Sequence, residues 1–423
     1  MSEEQRYRSR TPASARYFEE ARRYLPGGDS RSTLFYPPYP AVLDRGEGCR
    51  VVDLDGSRLL DFTGNHSVLV HGYLEPAVTK AIRRQLERGT CFPGPTDPQL
   101  RFARHLVGRI GSLERVRFTN SGTEAVMMAL RGARTFTGRR MVAKLEGGYH
   151  GTSGDVMGTA GPDLVLLPAD DAEGAAAILE RRAEQIAALL VEPVQGSAGM
   201  LPMDRACLQS LRETTRRLGI VLIFDEVVSL RVAYGGAEEH YGVSPDMTCL
   251  GKVIGGGLPL GAFGGREEIM AVFDPSHGAP AVPHPGSYNA NPVSLAAGLA
   301  TLELLTRDVI GQLNLRGDRL RAELKGAFDE AGVPAAITGL GSLFGIHPTD
   351  RPVRTVRDAA HADAELRHRI FLGLYNEGVL LDPRGVGTLS TAIGEAETER
   401  FLQAVRAVLS RVGERASTTP LSS

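Results

Sequence analysis

The sequence predicts an α/β protein in which a large domain built on a mostly parallel sheet is followed by a smaller α+β domain. Three observations carry the expectation. Between about residues 115 and 265 short apolar runs alternate with amphipathic helical stretches; beyond 293 long helices surround one strand-like segment; and no run reaches the ~18 apolar residues of a membrane span. In chain order, the first 60 residues hold a helix near 12 to 25 and the turn-rich LPGGDS and FYPPYP. They are too short for a core of their own and are expected to pack on the small domain or on a second subunit. The runs RVRFTN, MVAKLEGG, DLVLLPA, AALLVEPV, IVLIFDEV and MTCLGK are too continuously apolar to alternate, which suits strands covered by helices on both faces. Between them TEAVMMALRGARTF, AEGAAAILERRAEQI and RACLQSLRETTRRLG place apolar residues at helical spacing, the last ending in glycine. Residues 61–308 are read as the large domain. PVSLAAGLATLELL and GQLNLRGDRLRAELKGAFDEAG lead to the strand-like GSLFGIHP and a final helical region, 359–413, which gives a small domain over 309–413 and a frayed tail over 414–423.

Composition narrows the function classes. A net charge of −2 and a pI near 6.6 offer no broad basic field for nucleic acid or anionic lipid. Cys49, Cys91, Cys207 and Cys249 are scattered without ligand spacing, so neither structural zinc nor a disulfide framework is expected. The N-terminus lacks an apolar signal core, and a cytoplasmic enzyme without metal, membrane or nucleic-acid partner is the expectation. The basic residues are lopsided: of 48, only Lys80, Lys144, Lys252 and Lys325 are lysines. Arginine stays protonated, whereas a buried lysine can lose its proton and attack a carbonyl.

Four segments carry chemistry. In CLGKVIGGGLPLG, Lys252 stands among glycines and apolar residues, which favours burial, a depressed pKa and a reactive amine. Lys80 and Lys325 sit among charged residues on amphipathic helices, and Lys144, on a strand, is the remaining rival. In IVLIFDEV, five apolar residues run into Asp225 at the carboxyl end of a strand, where open α/β sheets bind ligands. A magnesium carboxylate of a phosphate hydrolase would need GxxxxGK[ST], yet Asp246 and Val253 occupy two required positions around Lys252. That leaves a carboxylate facing the ring nitrogen of a pyridine cofactor. In NSGTE, Ser121, Gly122 and Thr123 form either an anion site at a helix N-terminus or an ordinary N-cap. In EGGYHGTSG, Tyr149 and His150 sit in a glycine-rich turn from which a ring can cover a flat ligand. TGLGSLFG only imitates a dinucleotide fingerprint, because its spacing is GxGxxxG and no βαβ unit follows.

Amine, carboxylate, anion nest and stacking ring together describe a pyridoxal 5′-phosphate (PLP) site. NSGTEAVMMALRGAR, GGYHG, VEPVQGSAG, IFDEV and RVAYGGAEEHYGVSPDMTCLGKVIGGGLPLGAFGG, in this order, resemble the hallmark segments of class III (subgroup II) aminotransferases of PLP fold type I, the aspartate aminotransferase-like fold. The resemblance spans roughly residues 17 to 412. It implies that Lys252 carries the cofactor covalently and shuttles protons, and that Asp225 keeps the pyridine nitrogen protonated. It further implies that Tyr149 stacks on the ring, that Ser121, Gly122 and Thr123 bind the phosphate, and that His150, Glu192 and Val227 complete the pocket. Ser287 in GSYNANP, where threonine is usual, would reach the phosphate in a neighbouring subunit, so a homodimer with shared active sites is implied. The implied reaction is ping-pong transfer of an amino group from a donor to 2-oxoglutarate or pyruvate.

Within the family the motifs resemble β-amino-acid aminotransferases of the β-phenylalanine type and glutamate-1-semialdehyde aminomutases. SRSTLF carries Thr33 where the aminomutases have a carboxylate-binding arginine, and Arg31 two residues earlier, as in the β-amino-acid enzymes. Arg384 in DPRG resembles their second carboxylate contact, whereas Asn65 and His66 in GNHSVLVHG differ from them at the substrate pocket. The expectation is a β-amino-acid transaminase. An aminomutase is the alternative, and a non-catalytic PLP-binding protein a third reading.

Overall fold

The computed structural model describes residues 1–158 and 161–416. Its main sheet contains β1 (Arg115–Thr119), β2 (Met141–Leu145), β3 (Leu164–Leu167), β4 (Ile186–Val191), β5 (Val221–Asp225), β6 (Met247–Leu250) and β7 (Gly261–Gly265). In space they run β1, β7, β6, β5, β4, β2, β3. All neighbours are parallel except β7, which is antiparallel to both β6 and β1. Every residue of β4 and β5 is buried, as expected of strands covered on both faces. The apolar runs read from the sequence become β1 to β6; β7, of sequence GAFGG, was not foreseen, because glycine weakens the strand signal. The glycines there are steric requirements: a Cβ on Gly261 would lie 2.1 Å from the Ser121 carbonyl oxygen, and one on Gly264 2.2 Å from that of Arg115.

The helices Gly122–Thr137, Ala172–Arg181 and Arg205–Leu218 cover the sheet, each capped by a side chain accepting a first-turn N–H: Ser121, Asp171 and Asp204. The first and third end on Gly138 and Gly219 in the left-handed region.

The N-terminal segment begins with a helix the sequence reading overlooked, Glu3–Arg10, before Pro12–Ala21. Strands Leu43–Glu47, Arg50–Asp53 and Arg58–Asp61 are joined by Val379–Leu380 from near the C-terminus, which pairs parallel to the third. Buried Tyr7 packs edge-on against Tyr375, whose hydroxyl donates to Asp53 at 2.5 Å. A second small sheet, Ala336–Thr338, Leu343–His347 and Val386–Thr388, is wholly antiparallel.

Some elements run across the breaks expected from the sequence. Strand Arg58–Asp61 crosses the break expected at 60, and helix Arg307–Glu330 crosses the one expected at 308. The last helix runs Glu395–Ala416, past 413; the rest of the expected tail, 417–423, lies outside the described residues. The region 359–413, read as helical, contains the strands Val379–Leu380 and Val386–Thr388, too short to show a period of two.

Candidate active site

Five segments deliver side chains to one place because β1, β2, β4, β5 and β6 end at the same sheet edge, the edge where parallel α/β sheets bind ligands. Beyond β6 comes Lys252, beyond β1 Ser121, beyond β2 Tyr149 and His150, beyond β4 Glu192, and β5 ends on Asp225 itself. A cleft of about 630 Å³ is lined by these residues together with Gly122, Thr123, Val227, Asn65, His66 and Arg384.

Lys252 is half-buried and its backbone sits at φ 50°, in the left-handed region that side chains rarely adopt and that clusters at functional sites. Burial lowers its pKa; Glu192 and Asp225 pull the other way, and Arg384 adds to the lowering. This has a measurable consequence. Between the lowered value and the ordinary lysine range, the unfolded chain holds a proton the folded one has released, so stability rises with pH across that window. Lys252→Met removes the term. In cofactor-free thermal melts the variant is therefore expected to exceed the wild type in Tm at low pH. The gap should shrink as pH climbs toward the ordinary lysine value; a gap that widens would contradict a depressed amine.

Asp225 is buried and accepts from His150 Nδ1–H at 2.8 Å and from the Val227 N–H at 3.1 Å. His150 must carry its proton on Nδ1 to donate there, and its Nε2 is buried without a partner among the described residues. The residue expected as a cofactor contact thus also orients Asp225. Tyr149 is 48% exposed, and its N–H donates to Glu192 Oε2 at 2.8 Å. Glu192 also accepts from the Gly196 N–H, while burial and the neighbouring Asp225 push its carboxyl pKa up.

The NSGTE loop makes the N-cap and leaves donors that an anion could take. Ser121 Oγ accepts the Glu124 N–H at 3.1 Å, an N-cap, which leaves its own proton free to donate. The N–H groups of Gly122 and Thr123, in the first helical turn, take no partner among the described residues. A Cβ on Gly122 would meet Val227 Cγ2 at 2.8 Å, so only glycine lets the loop approach that wall.

Lys144, the rival amine, is buried and donates to the carbonyls of Gly148 at 3.3 Å and Val156 at 2.7 Å. It fastens the turn that carries Tyr149. At the cleft mouth Arg384 forms a fork with buried Asp382, Nε to Oδ1 at 2.9 Å and Nη2 to Oδ2 at 2.8 Å. His66 Nδ1 lies 3.0 Å from the same carboxylate. Burial works against the charge on Asp382, yet the bonds from Arg384 and His66 hold its pKa well below the usual carboxylate range. Sequence reasoning missed Asp382, although DPRG placed an acid two residues before the arginine. Arg31, expected at the substrate, does not line this cleft, and neither does Ser287, expected at the phosphate of a neighbouring subunit. Arg31 donates from Nη1 to Asn65 Oδ1 at 2.9 Å and lines an adjoining cavity. Ser287 is exposed, and its carbonyl accepts from Cys91 Sγ at 3.6 Å.

The donor set fits PLP. Lys252 would bind the aldehyde carbon, Asp225 would face the pyridine nitrogen, and the Ser121 hydroxyl with the N–H groups of Gly122 and Thr123 would take the phosphate. The ring would lie between Tyr149 and Val227. Among the described residues no cluster of His, Cys, Asp or Glu has the arrangement of a metal site, and the four cysteines are free.

The profile of the Aminotransferase class-III family matches residues 35–166 and 167–405. The β-phenylalanine transaminase of Variovorax paradoxus is 41% identical over 409 residues, covering 95% of this chain and 93% of the relative. A crystal structure of a β-phenylalanine aminotransferase from the same organism superposes with a TM-score of 0.93 at 40% identity, covering 99% of this chain and 97% of the other. A glutamate-1-semialdehyde 2,1-aminomutase of Methanothermobacter thermautotrophicus is 38% identical over 417 residues, covering 94% and 99%. A solved transaminase with PLP bound gives a TM-score of 0.90 at 38% identity, covering 96% of this chain and 99% of that one. The chain has PLP fold type I and belongs to the class-III aminotransferases, as a PLP-dependent transaminase.

Proposed function

We propose that the enzyme moves the amino group of a β-amino acid, or a closely related amino acid, to a 2-oxo acid in two half-reactions at one site, as a homodimer in the cytoplasm. One observation carries the substrate class. Arg384 lines the cleft, is fixed by the fork with Asp382, and keeps Nη1 without a partner among the described residues, a donor ready for a carboxylate. The likeness to a β-phenylalanine transaminase supports the β-position of the amine. Thr33 lines the cleft where an arginine would favour the aminomutase reading. No helix among the described residues is long and apolar enough to cross a membrane, in keeping with the cytoplasmic assignment.

Bound PLP supplies an electron sink conjugated to the carbon that bears the substrate amine. The chain does the rest. Arg384 holds the carboxylate, Lys252 as a neutral amine takes the proton from that carbon and returns it two bonds away, across the nitrogen, and Asp225 keeps the ring nitrogen positive. Tyr149 and Glu192 keep the ring plane and the turn beside it in place. Ser287 is assigned to the partner's phosphate site, which makes activity dependent on the dimer.

Half-reactions with α-, β- and ω-amines test the reading: β-amino acids should release a free 3-oxo acid, whereas a product that keeps its nitrogen would mean a mutase. Arg384→Met should raise KM for carboxylate-bearing donors by roughly 10- to 100-fold, the worth of a charged hydrogen bond, with a smaller change in kcat. Donors without a carboxylate should be unaffected; an equal loss on both would remove Arg384 from substrate binding.

A further inference from the structure

A second cavity of about 730 Å³ opens beside the cofactor cleft. The two share Thr63, Asn65, His66, Gly257 and Asp382, so these residues form the threshold between the two spaces. The threshold is preorganised. Gly64, Asn65, His66 and Ser67 all have positive φ, from 49° to 71°, a left-handed turn that costs about 1–2 kcal/mol per non-glycine residue and persists only where its surroundings hold it. Asp382 grips His66, Arg31 ties down Asn65, and buried Arg231 donates to the Ser67 carbonyl.

Beyond the threshold most of the wall is apolar, with Asp29, Ser30 and Arg31 among its polar residues. Phe18, Leu25, Leu34 and Leu380 line the chamber together with Tyr36 and Tyr73. The polar ends of both tyrosines are engaged elsewhere: Tyr36 Oη accepts the Ala41 N–H at 2.8 Å, and the Tyr73 hydroxyl donates to Asp61 at 2.8 Å. Only their ring surfaces remain for a ligand. Cavities of about 300–1,000 Å³ hold a drug-sized molecule, so this chamber alone exceeds the needs of one phenyl group.

We propose that the substrate is an amino acid with a long apolar tail, whose carboxylate and amine stay in the cofactor cleft while the tail passes Asn65 and His66 into the chamber. This rests on the proposed transaminase reading and adds the tail to it. Arg31 then belongs to the chamber's entrance, and Arg384 takes the substrate carboxylate.

The experiment measures kcat/KM of the holoenzyme for straight-chain 3-aminocarboxylic acids of increasing length. It also measures inhibition by straight-chain alkanoates, which needs no turnover. Each methylene entering the chamber should raise kcat/KM and lower the inhibition constant by about fourfold, the transfer free energy of one buried CH₂, until the space is full. Leu34→Trp, which fills the chamber, should cut the ratio of long- to short-chain kcat/KM at least tenfold. A flat or falling length dependence overturns the proposal, as does a Leu34→Trp loss that is equal at all lengths. If 3-amino acids do not turn over but long-chain donors of another class and the alkanoates show the length dependence, the chamber stands and the β-amino assignment fails.

Discussion

Lys252→Ala is expected to lower kcat by at least about 10⁴-fold, the upper range of positioned acid–base catalysis, because the same amine both holds the cofactor and moves the proton. The structure leaves no substitute nearby. Lys144 is committed to two carbonyls, and Lys80 and Lys325 are exposed on distant helices. Lys252→Arg should be equally inactive, since a guanidinium cannot surrender its proton at working pH. Folding should survive, because alanine relieves a buried amine whose charged form is disfavoured. The check is single-turnover kinetics together with borohydride reduction and peptide mapping of the wild type. A tag on Lys144, or turnover by the alanine variant, would remove Lys252 from the mechanism.

Asp225→Asn is expected to cost on the order of 10²–10³ in kcat, the usual loss when one preorganised electrostatic contact is removed. Asparagine keeps the shape of aspartate and can still accept the Val227 N–H, so the loss reports charge. With His150 behind it and β5 beneath it, Asp225 cannot swing away, and the negative end stays aimed into the cleft. A cofactor analogue with carbon in place of the ring nitrogen separates charge from shape. On that analogue wild type and variant should be about equally slow, whereas a difference as large as on the natural cofactor would mean that Asp225 acts on something other than the nitrogen.

Much of this was legible in the sequence, for identifiable reasons. β1 to β6 announce themselves because strands buried on both faces must be continuously apolar, and Asp225 stands out because it breaks such a run. Lys252 was visible through scarcity, in a chain that otherwise uses arginine. β7 was hidden because the close approach of neighbouring backbones demands glycine, which reads as a turn. The engagement of His150 with Asp225 joins residues 75 apart, and that of His66 with Asp382 joins the N-terminal part of the chain to its last third. Local pattern carries no such information. Arg31 was legible only as a motif position: SRSTLF could not show that its guanidinium bonds Asn65, on the wall shared by cleft and chamber.

The scarcity of lysine has a practical corollary. With Lys144 buried and Lys252 half-buried in the cleft, the exposed ε-amines among the described residues are those of Lys80 and Lys325. Coupling the cofactor-loaded enzyme to an activated-ester resin, too bulky to enter the cleft, should therefore give a narrow set of attachment geometries.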